Sequence, residues 1–380
     1  MTNVSELGEF ELIARLTAGL KTRTGVNLGV GDDCAILDLG GDTLLLATCD
    51  SQVEGIHFIT GASSPEEIGR KALAINLSDI AAMGGEPRYA LVSLILPAKL
   101  HLDVLDGIYA GLRREAEQFA TAIVGGNIAG AGKSEQLVID ITLLGIVERG
   151  HALTRSGAQV GDLLCVTGTL GDSAAGLFTL LQPHLVYPQE ARHIVRAIHT
   201  TPRPRVHEGR ILNRLLRYPQ NGSKKEGGST VSPRASLQGT AYQENPKRSI
   251  DSTPGPGVVT AMLDISDGLS GDLAHLCERS HVGARVELAR LPLSPEIRAI
   301  AATASRDPLH WAMHGGEDYE LLFTISPGQE HRVIAAVQAA TGMPVTVIGT
   351  ILPPDEGMQQ LYPDGHSEPL SVESWDHLKQ

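Results

Sequence analysis

The chain has 380 residues, 42% of them hydrophobic, enough for two domains with cores of ordinary size. Only 4% are aromatic while 42 residues are glycine, a balance that favours small-residue α/β packing with many tight turns. The formal net charge of −13, without any basic stripe, argues against nucleic acid as a partner.

From the N-terminus, Glu9 to Leu20 carries Phe10, Ile13, Leu16 and Leu20 at helical spacing. A glycine-rich turn around 29–31 follows, and then the apolar run Thr43 to Thr48 is predicted as a strand that delivers Cys49 and Asp50 to its end. A helix is predicted over Ser64 to Met83, with Ser64 as its cap, Pro65 in its first turn and Gly84-Gly85 as its stop. Asn76 and Asp79, three positions apart, share one face of it. Strands at Tyr89 to Leu96, Thr121 to Val124 and Gln136 to Val147, with a helix at Leu102 to Phe119, suit an α+β sheet.

A second domain is placed from about residue 150, opening with a strand at Leu163 to Thr167 and a helix at Ser173 to Leu181, so the expected division is 1–149 and 150–380. Residues 219–257 have almost no apolar periodicity to offset the entropy of ordering them, and are expected to form a disordered surface insertion. Beyond them, a strand through Ala261 enters a turn and a helix runs from Leu269 to Cys277, which places Asp264 and Asp267 at a strand-to-helix junction.

Five short acidic motifs are scattered along this order: Gly31-Asp-Asp33, Cys49-Asp50, Asn76-Leu-Ser-Asp79, Asp264-Ile-Ser-Asp267 and Gly315-Gly-Glu-Asp318. Small or apolar residues border each one. Carboxylates gathered without lysine or arginine partners repel by about 4 kcal/mol per close pair at an effective dielectric near 20, so they need a cation. Oxygen donors without clustered histidine or cysteine select Mg²⁺ or Ca²⁺ over zinc, and Mg²⁺ on scattered carboxylates is a usual holder of nucleoside triphosphates. The expected chemistry is Mg²⁺-dependent phosphoryl transfer.

Gly126 to Ser134 nearly spells a phosphate-binding P-loop. Its first required glycine falls on Asn127, however, and a β-run follows Ser134 where that loop demands a helix. Cys34, Cys49, Cys165 and Cys277 stand singly, so neither a disulfide framework nor a cysteine zinc site is expected, and a reducing cytoplasm is the expected location. No uncharged apolar run approaches the roughly 18 residues of a bilayer span, and the first residues lack a signal-peptide pattern, so no membrane partner is expected.

Taken together, Gly29-Val-Gly-Asp-Asp33-Cys-Ala35, Asp50-Ser-Gln-Val-Glu-Gly-Ile-His57-Phe58, Lys71-Ala-Leu-Ala-Ile-Asn76-Leu-Ser-Asp79, Leu153-Thr-Arg155-Ser-Gly157, Gly168-Thr-Leu-Gly-Asp172-Ser173, Leu263-Asp264-Ile-Ser-Asp267-Gly268 and Gly315-Gly-Glu317-Asp-Tyr319 resemble the thiamine-monophosphate kinase family. The motifs follow the family's order over nearly the whole chain outside 219–257. The resemblance implies a two-domain fold like that of aminoimidazole ribonucleotide synthetase, with an N-terminal α+β domain that dimerises through its sheet and a C-terminal α/β domain. It further implies transfer of the ATP γ-phosphoryl group to the phosphate of thiamine phosphate, giving thiamine diphosphate and ADP, in a cytoplasmic homodimer.

By the same resemblance, Asp33, Asp50, Asp79, Asp264 and Asp267 would hold several Mg²⁺ ions, with Thr48, Cys49 and Asn127 in the metal shell. Gly126, Asn127, Arg155 and Ser266 would contact ATP; His57, Glu317 and Trp375 would bind thiamine phosphate; Asp79, Arg155 and Asp267 would carry the catalysis. Such a reaction needs charge neutralisation and in-line positioning, and no general base, because the acceptor is already a phosphate oxygen. Two positions depart from the family pattern: Asn127 replaces an aspartate and Cys49 a threonine. They keep open a nucleotide-binding paralogue with lost or redirected activity, or another ATP-dependent synthetase of the superfamily. Asp32 reads as a turn former, Asp172 as the cap of the helix at 173–181, and Arg203 and Arg205 as loop braces.

Overall fold

The computed structural model describes residues 9–215 and 258–373; the segment 219–257 and Trp375 lie outside the described residues. After helix α1 (Glu9–Thr17), six strands form the first sheet: β1 (Val26–Leu28), β2 (Ala35–Leu37), β3 (Thr43–Val53), β4 (Glu86–Leu96), β5 (Ala122–Gly130) and β6 (Val138–Glu148). Their order is β1-β2-β3-β6-β4-β5, and all neighbours are antiparallel except the pair β4 and β5.

Helices α2 (Pro65–Ala82) and α3 (Leu102–Gln118) cover one face of this sheet. The period-two pattern decides which face. Leu44 and Leu46 of β3 and Ile139, Ile141 and Leu143 of β6 are buried against Leu73, Leu77 and Ile80 of α2. Ser64 caps α2 as expected, accepting from the Glu67 N–H while the Glu67 carboxylate accepts from the Ser64 N–H. The two helices cross with no room for a side chain: a Cβ on Gly111 would lie 2.0 Å from the Glu66 carbonyl oxygen. Gly111→Ala is therefore expected to destabilise the fold by about 2 kcal/mol or more, read as a lower urea midpoint at unchanged slope.

The second sheet holds β7 (Leu163–Thr167), β8 (Val259–Asp264), β9 (Gly283–Glu287), β10 (Leu321–Ile325), β11 (Val345–Leu352), β12 (Met358–Leu361) and β13 (Ser367–Pro369), in the order β13-β12-β9-β11-β7-β10-β8. Around it lie α4 (Asp172–Leu181), α5 (Gln189–Thr200), α6 (Val206–Arg214), α7 (Leu269–Ser280), α8 (Pro295–Ala304), α9 (Pro308–His314) and α10 (Glu330–Thr341). One apolar core runs from Leu46, Leu77 and Ile141 through Val206 and Leu212 to Met262, Phe323 and Val337, so the two sheets share an interior. The acidic motifs meet at that junction.

Three local expectations change. The strand carrying Cys49 and Asp50 does not end there; β6 pairs with all of β3 from Thr43 to Val53, so both residues are interior to the strand. The strand at 121–124 likewise runs on to Gly130, because its glycine-rich half pairs in parallel with β4. Asp172 is the first residue of α4 rather than its cap, and its carboxylate accepts from Thr169 (2.7 Å) and Ser294 (2.5 Å). Asp318 serves the helix start instead, accepting from the N–H groups of Gly171 (2.7 Å) and Ser173 (3.4 Å). Arg205 does brace its loop, pairing with the buried Glu320 that precedes β10.

Among the described residues, none covers the other face of the first sheet. Tyr89, Leu91, Ile95, Val124 and Ile128 are 40–66% exposed there and on the edge strand β5.

Candidate active site

Asp79 near the end of α2, Asp33 in the turn before β2 and Asp264 at the end of β8 bring carboxylate oxygens within 4.8 Å of one another. Neighbouring hydroxyls orient them: Thr48 donates to Asp79, and Ser78 donates to Asp264 at 2.5 Å. The Arg155 guanidinium donates to Asp33 Oδ1 from Nη2 (2.5 Å) and Nε (3.2 Å), while the Arg155 backbone N–H is taken by Asp32 at 3.1 Å. Asp33 Oδ2 is buried with no hydrogen-bond partner among the described residues.

Burial followed by mutual repulsion lifts these acids out of the carboxylate range. Asp264 is pushed up to about 8 by burial and by Asp33, and Asp32 to about 7 by burial and by Asp33. Asp79 is raised well above its ordinary value by burial, Asp50 and Asp264. A lone buried lone pair on Asp33, oxygen-only donors and a surplus of negative charge fit a hard divalent cation bound at this point.

Asp50 and Asp267 line the cavity into which Asp79 and Asp264 open. The backbone N–H of Asp50 donates to Asn76 on α2 (3.2 Å), which pins this part of β3 to the helix. The turn carrying Ser266 and Asp267 is held by Asp272, a buried carboxylate that accepts both of their N–H groups at 3.1 Å. Against this turn lies the irregular segment 317–319, with Glu317 N–H donating to Ser266 O (2.7 Å) and Tyr319 N–H to Ile265 O (2.8 Å). Glu317 and Tyr319 hold φ of +66° and +50°, a conformation that side chains adopt only where the surroundings enforce it.

The cavity measures about 540 Å³. Besides the carboxylates it is lined by His57, His199, Glu317 and the aromatic pair Phe178 and Trp311, whose ring centroids are 5.3 Å apart. Glu317 is paired to Lys71 at 2.7 Å and lies 3.3 Å from His199 Nδ1. Lys71, only 3% exposed, also donates to the His57 carbonyl at 3.1 Å. Burial works against the charged form of Glu317, yet Lys71 and then His199 hold its carboxyl below the usual range. His199 falls to about 4 through burial and Lys71, and is neutral at pH 7. The Val53 N–H donates to His57 Nδ1 (3.0 Å), which leaves the ring's proton on Nε2.

The family model described as "AIR synthase related protein, N-terminal domain" matches residues 31–147, and its C-terminal counterpart matches residues 223–358. A thiamine-monophosphate kinase of Bacillus subtilis is 31% identical over 377 residues, covering 98% of this chain and 100% of that one. Its counterpart from Aquifex aeolicus is 35% identical over 322 residues, covering 84% and 87%. This chain belongs to the thiamine-monophosphate kinase family. A solved structure described as "AaThiL complexed with AMPPCP and TMP" shares the fold with a TM-score of 0.76 at 30% identity, over 99% of both chains.

Of the site residues expected from the sequence, Asp33, Thr48, Asp79, Arg155 and Asp264 are in direct contact or within 4.8 Å of one another. Asp50, Ser266, Asp267, His57 and Glu317 line the same cavity. Cys49 is not brought to them by its side chain. Strand alternation turns its thiol to the opposite sheet face, where it lies 3.4 Å from Asp140 and 3.6 Å from Thr142. Asn127 and Gly126 are also apart from the aspartates of their own chain. The register runs Ser51, Asp140, Ser93, Asn127 across β3, β6, β4 and β5, three strand spacings or about 14 Å, too far for one Mg²⁺ to join Asn127 to Asp50. Gly126 has a structural reason to be glycine, since a Cβ there would lie 1.7 Å from the Val92 carbonyl oxygen.

Lys71, His199, Phe178, Trp311 and Asp272 were not among the expected site residues. Lys71 sits in an apolar helical run, where a lysine ordinarily marks a solvated face, and nothing local pairs it with Glu317 far along the chain. Trp311 carried a usable signal, being one of only two tryptophans in the chain.

Proposed function

We propose that this protein phosphorylates thiamine monophosphate with ATP, forming thiamine diphosphate and ADP by direct in-line transfer. The observation that carries the reading is one cavity lined both by the Asp50, Asp79, Asp264 and Asp267 carboxylates and by Phe178 and Trp311. Its two kinds of wall suit a ligand with a phosphate at one end and cationic aromatic rings at the other. Asp33, Asp79 and Asp264, with Asp50 and Asp267, would hold Mg²⁺, which when bound neutralises charge on the phosphoryl oxygens.

The chain's own groups then position the reactants. Arg155 offers a guanidinium fork for a phosphoryl group. His57, with its proton on Nε2, can donate to a phosphate oxygen of the acceptor, and Glu317 can pair with the thiazolium or pyrimidine ring. The rings would lie against Phe178 and Trp311, and Trp375 is a further proposed contact. Gly126, Asn127 and Ser266 are proposed to contact the nucleotide. The division at 1–149 and 150–380 and a cytoplasmic location belong to the same proposal, and the free state of all four cysteines suits the latter.

A homodimer through the bare face of the first sheet completes the proposal. That face presents Tyr89, Leu91 and Ile95, an apolar row which a second copy would cover. Leu91→Glu should then convert a dimer to a monomer in sedimentation velocity; an unchanged species would assign the contact elsewhere.

The test of the activity is thiamine diphosphate formation by purified protein from ATP, Mg²⁺ and thiamine monophosphate, with Asp79→Asn as control. The expected result is stoichiometric product with the wild type and a loss of at least about 10²-fold with the variant. ATP hydrolysis without thiamine diphosphate would instead favour a paralogue with redirected activity, and would point to Asn127.

A further inference from the structure

A second cluster of metal-ligating side chains lies at the rim of the cavity, apart from the aspartates. His310 and His314 stand four residues apart on α9 and so share one face, their ring centroids 5.0 Å from each other. Glu373, more than fifty positions further along the chain, comes back to them. One nitrogen from each imidazole and one Glu373 carboxylate oxygen lie within 4.8 Å of one another.

Beneath them sits Ser270, which is fully buried. Its hydroxyl donates to the Glu373 carbonyl oxygen (2.8 Å) and accepts from the Glu373 N–H (3.3 Å). With its proton committed, the hydroxyl must accept from His314 Nδ1, 2.9 Å away, so His314 carries its proton on Nδ1 and its lone pair on Nε2. A ring fixed in this way by a buried partner on its other nitrogen is the arrangement that prepares histidine for metal. Burial also holds His314 below the usual imidazole range, which keeps it neutral at pH 7.5.

We propose that His310, His314 and Glu373 form a transition-metal site for Zn²⁺ or a similar borderline ion, separate from the hard-cation centre of aspartates. Two imidazoles and one carboxylate select Zn²⁺ over Mg²⁺ by donor chemistry, and three protein ligands leave a fourth position open to water. A tetrahedral ion with bonds of about 2.0–2.1 Å needs donors roughly 3.3 Å apart, which an exposed His310 and Glu373 reach by small side-chain rotations. Because His314 and Glu373 both line the cavity, an ion bound here would stand at its opening.

Co²⁺ is the probe, since a tetrahedral site gives it far more intense visible absorption than octahedral carboxylate sites do. The full-length protein is kept in excess Mg²⁺ to occupy the aspartates and titrated with Co²⁺ at pH 7.5, then with Zn²⁺. The expected result is one equivalent of Co²⁺ with an intense visible band, displaced by Zn²⁺, and at least tenfold weaker binding in His310→Ala and in Glu373→Gln. His310→Ala should keep wild-type thiamine diphosphate formation with Mg²⁺ alone, which shows that the variant is folded. Equal Co²⁺ affinity in wild type and His310→Ala, or only the weak octahedral band at saturating Co²⁺, would overturn the site.

Discussion

Asp264→Asn is expected to yield a folded protein that is more stable than the wild type without metal and at least about 10²-fold less active. The two effects have one origin. Asp264 is buried beside Asp33 and Asp79, with Ser78 satisfying one oxygen, so in the metal-free protein its charge costs stability and its pKa rises to about 8. Asparagine keeps the shape and the Ser78 contact while removing that charge. In the wild type the folded state binds this proton more tightly than the unfolded chain, so metal-free stability should fall as pH rises from about 4 towards about 8. The variant should flatten that fall, leaving the part due to Asp32 and Asp79.

Adding Mg²⁺ should reverse the ranking, because only a cluster with its full charge gains strongly from the ion. Melting curves at pH 5 and pH 8, with and without Mg²⁺, give all four corners of the comparison. A variant that is less stable than wild type in metal-free buffer at pH 8 would mean that the aspartates are not held against their own repulsion.

What could be seen in the chain before folding depended on how local the cause was. The cap at Ser64, the helix it opens and the strand at Leu163–Thr167 are set by residues within a few positions of one another. The acidic motifs were legible for a different reason: several carboxylates without cationic neighbours must share a counter-ion wherever the fold gathers them. Lengths of β3 and β5 were hidden, because each is prolonged by a partner strand far along the chain, β6 in one case and β4 in the other. The same holds for Asp318, which serves the start of a helix about 145 residues earlier, whereas Asp272 holds N–H groups only five and six positions before it, a local cause that the acidic motifs beside it concealed. The thiol of Cys49 illustrates the limit of motif transfer. Its position in the motif is next to Asp50, yet strand alternation sends the two side chains to opposite faces.

The second large effect is expected at Lys71→Met. Lys71 is almost wholly buried, and its ammonium group does two things at once, pairing with Glu317 at 2.7 Å and donating to the His57 carbonyl at 3.1 Å. Two proposed acceptor contacts therefore hang on one buried residue of α2. Removing the cation leaves Glu317 beside a neutral His199, in a segment already held at positive φ. Breaking such a pair from one side should cost about 2–3 kcal/mol at pH 8, somewhat below the fully buried case because the Glu317 side chain is 23% exposed.

The sign with pH follows. In the wild type Glu317 lies below its ordinary pKa, so its contribution is present at neutral pH and is lost only as pH falls through that lowered value. In the variant burial is offset only by His199 and His57, Glu317 takes up a proton more readily, and the deficit should be larger at pH 8 than at pH 5. Kinetically, the KM for thiamine monophosphate should rise by tenfold or more with the KM for ATP little changed, since the defect lies on the acceptor side of the cavity. The double variant Lys71→Met with Glu317→Gln separates charge from packing: recovery of most of the lost stability, without recovery of acceptor binding, is the expected outcome. If Glu317→Gln recovers nothing, Lys71 acts through its contact with the His57 carbonyl, and the loop that carries His57 becomes the element to examine by the same cycle.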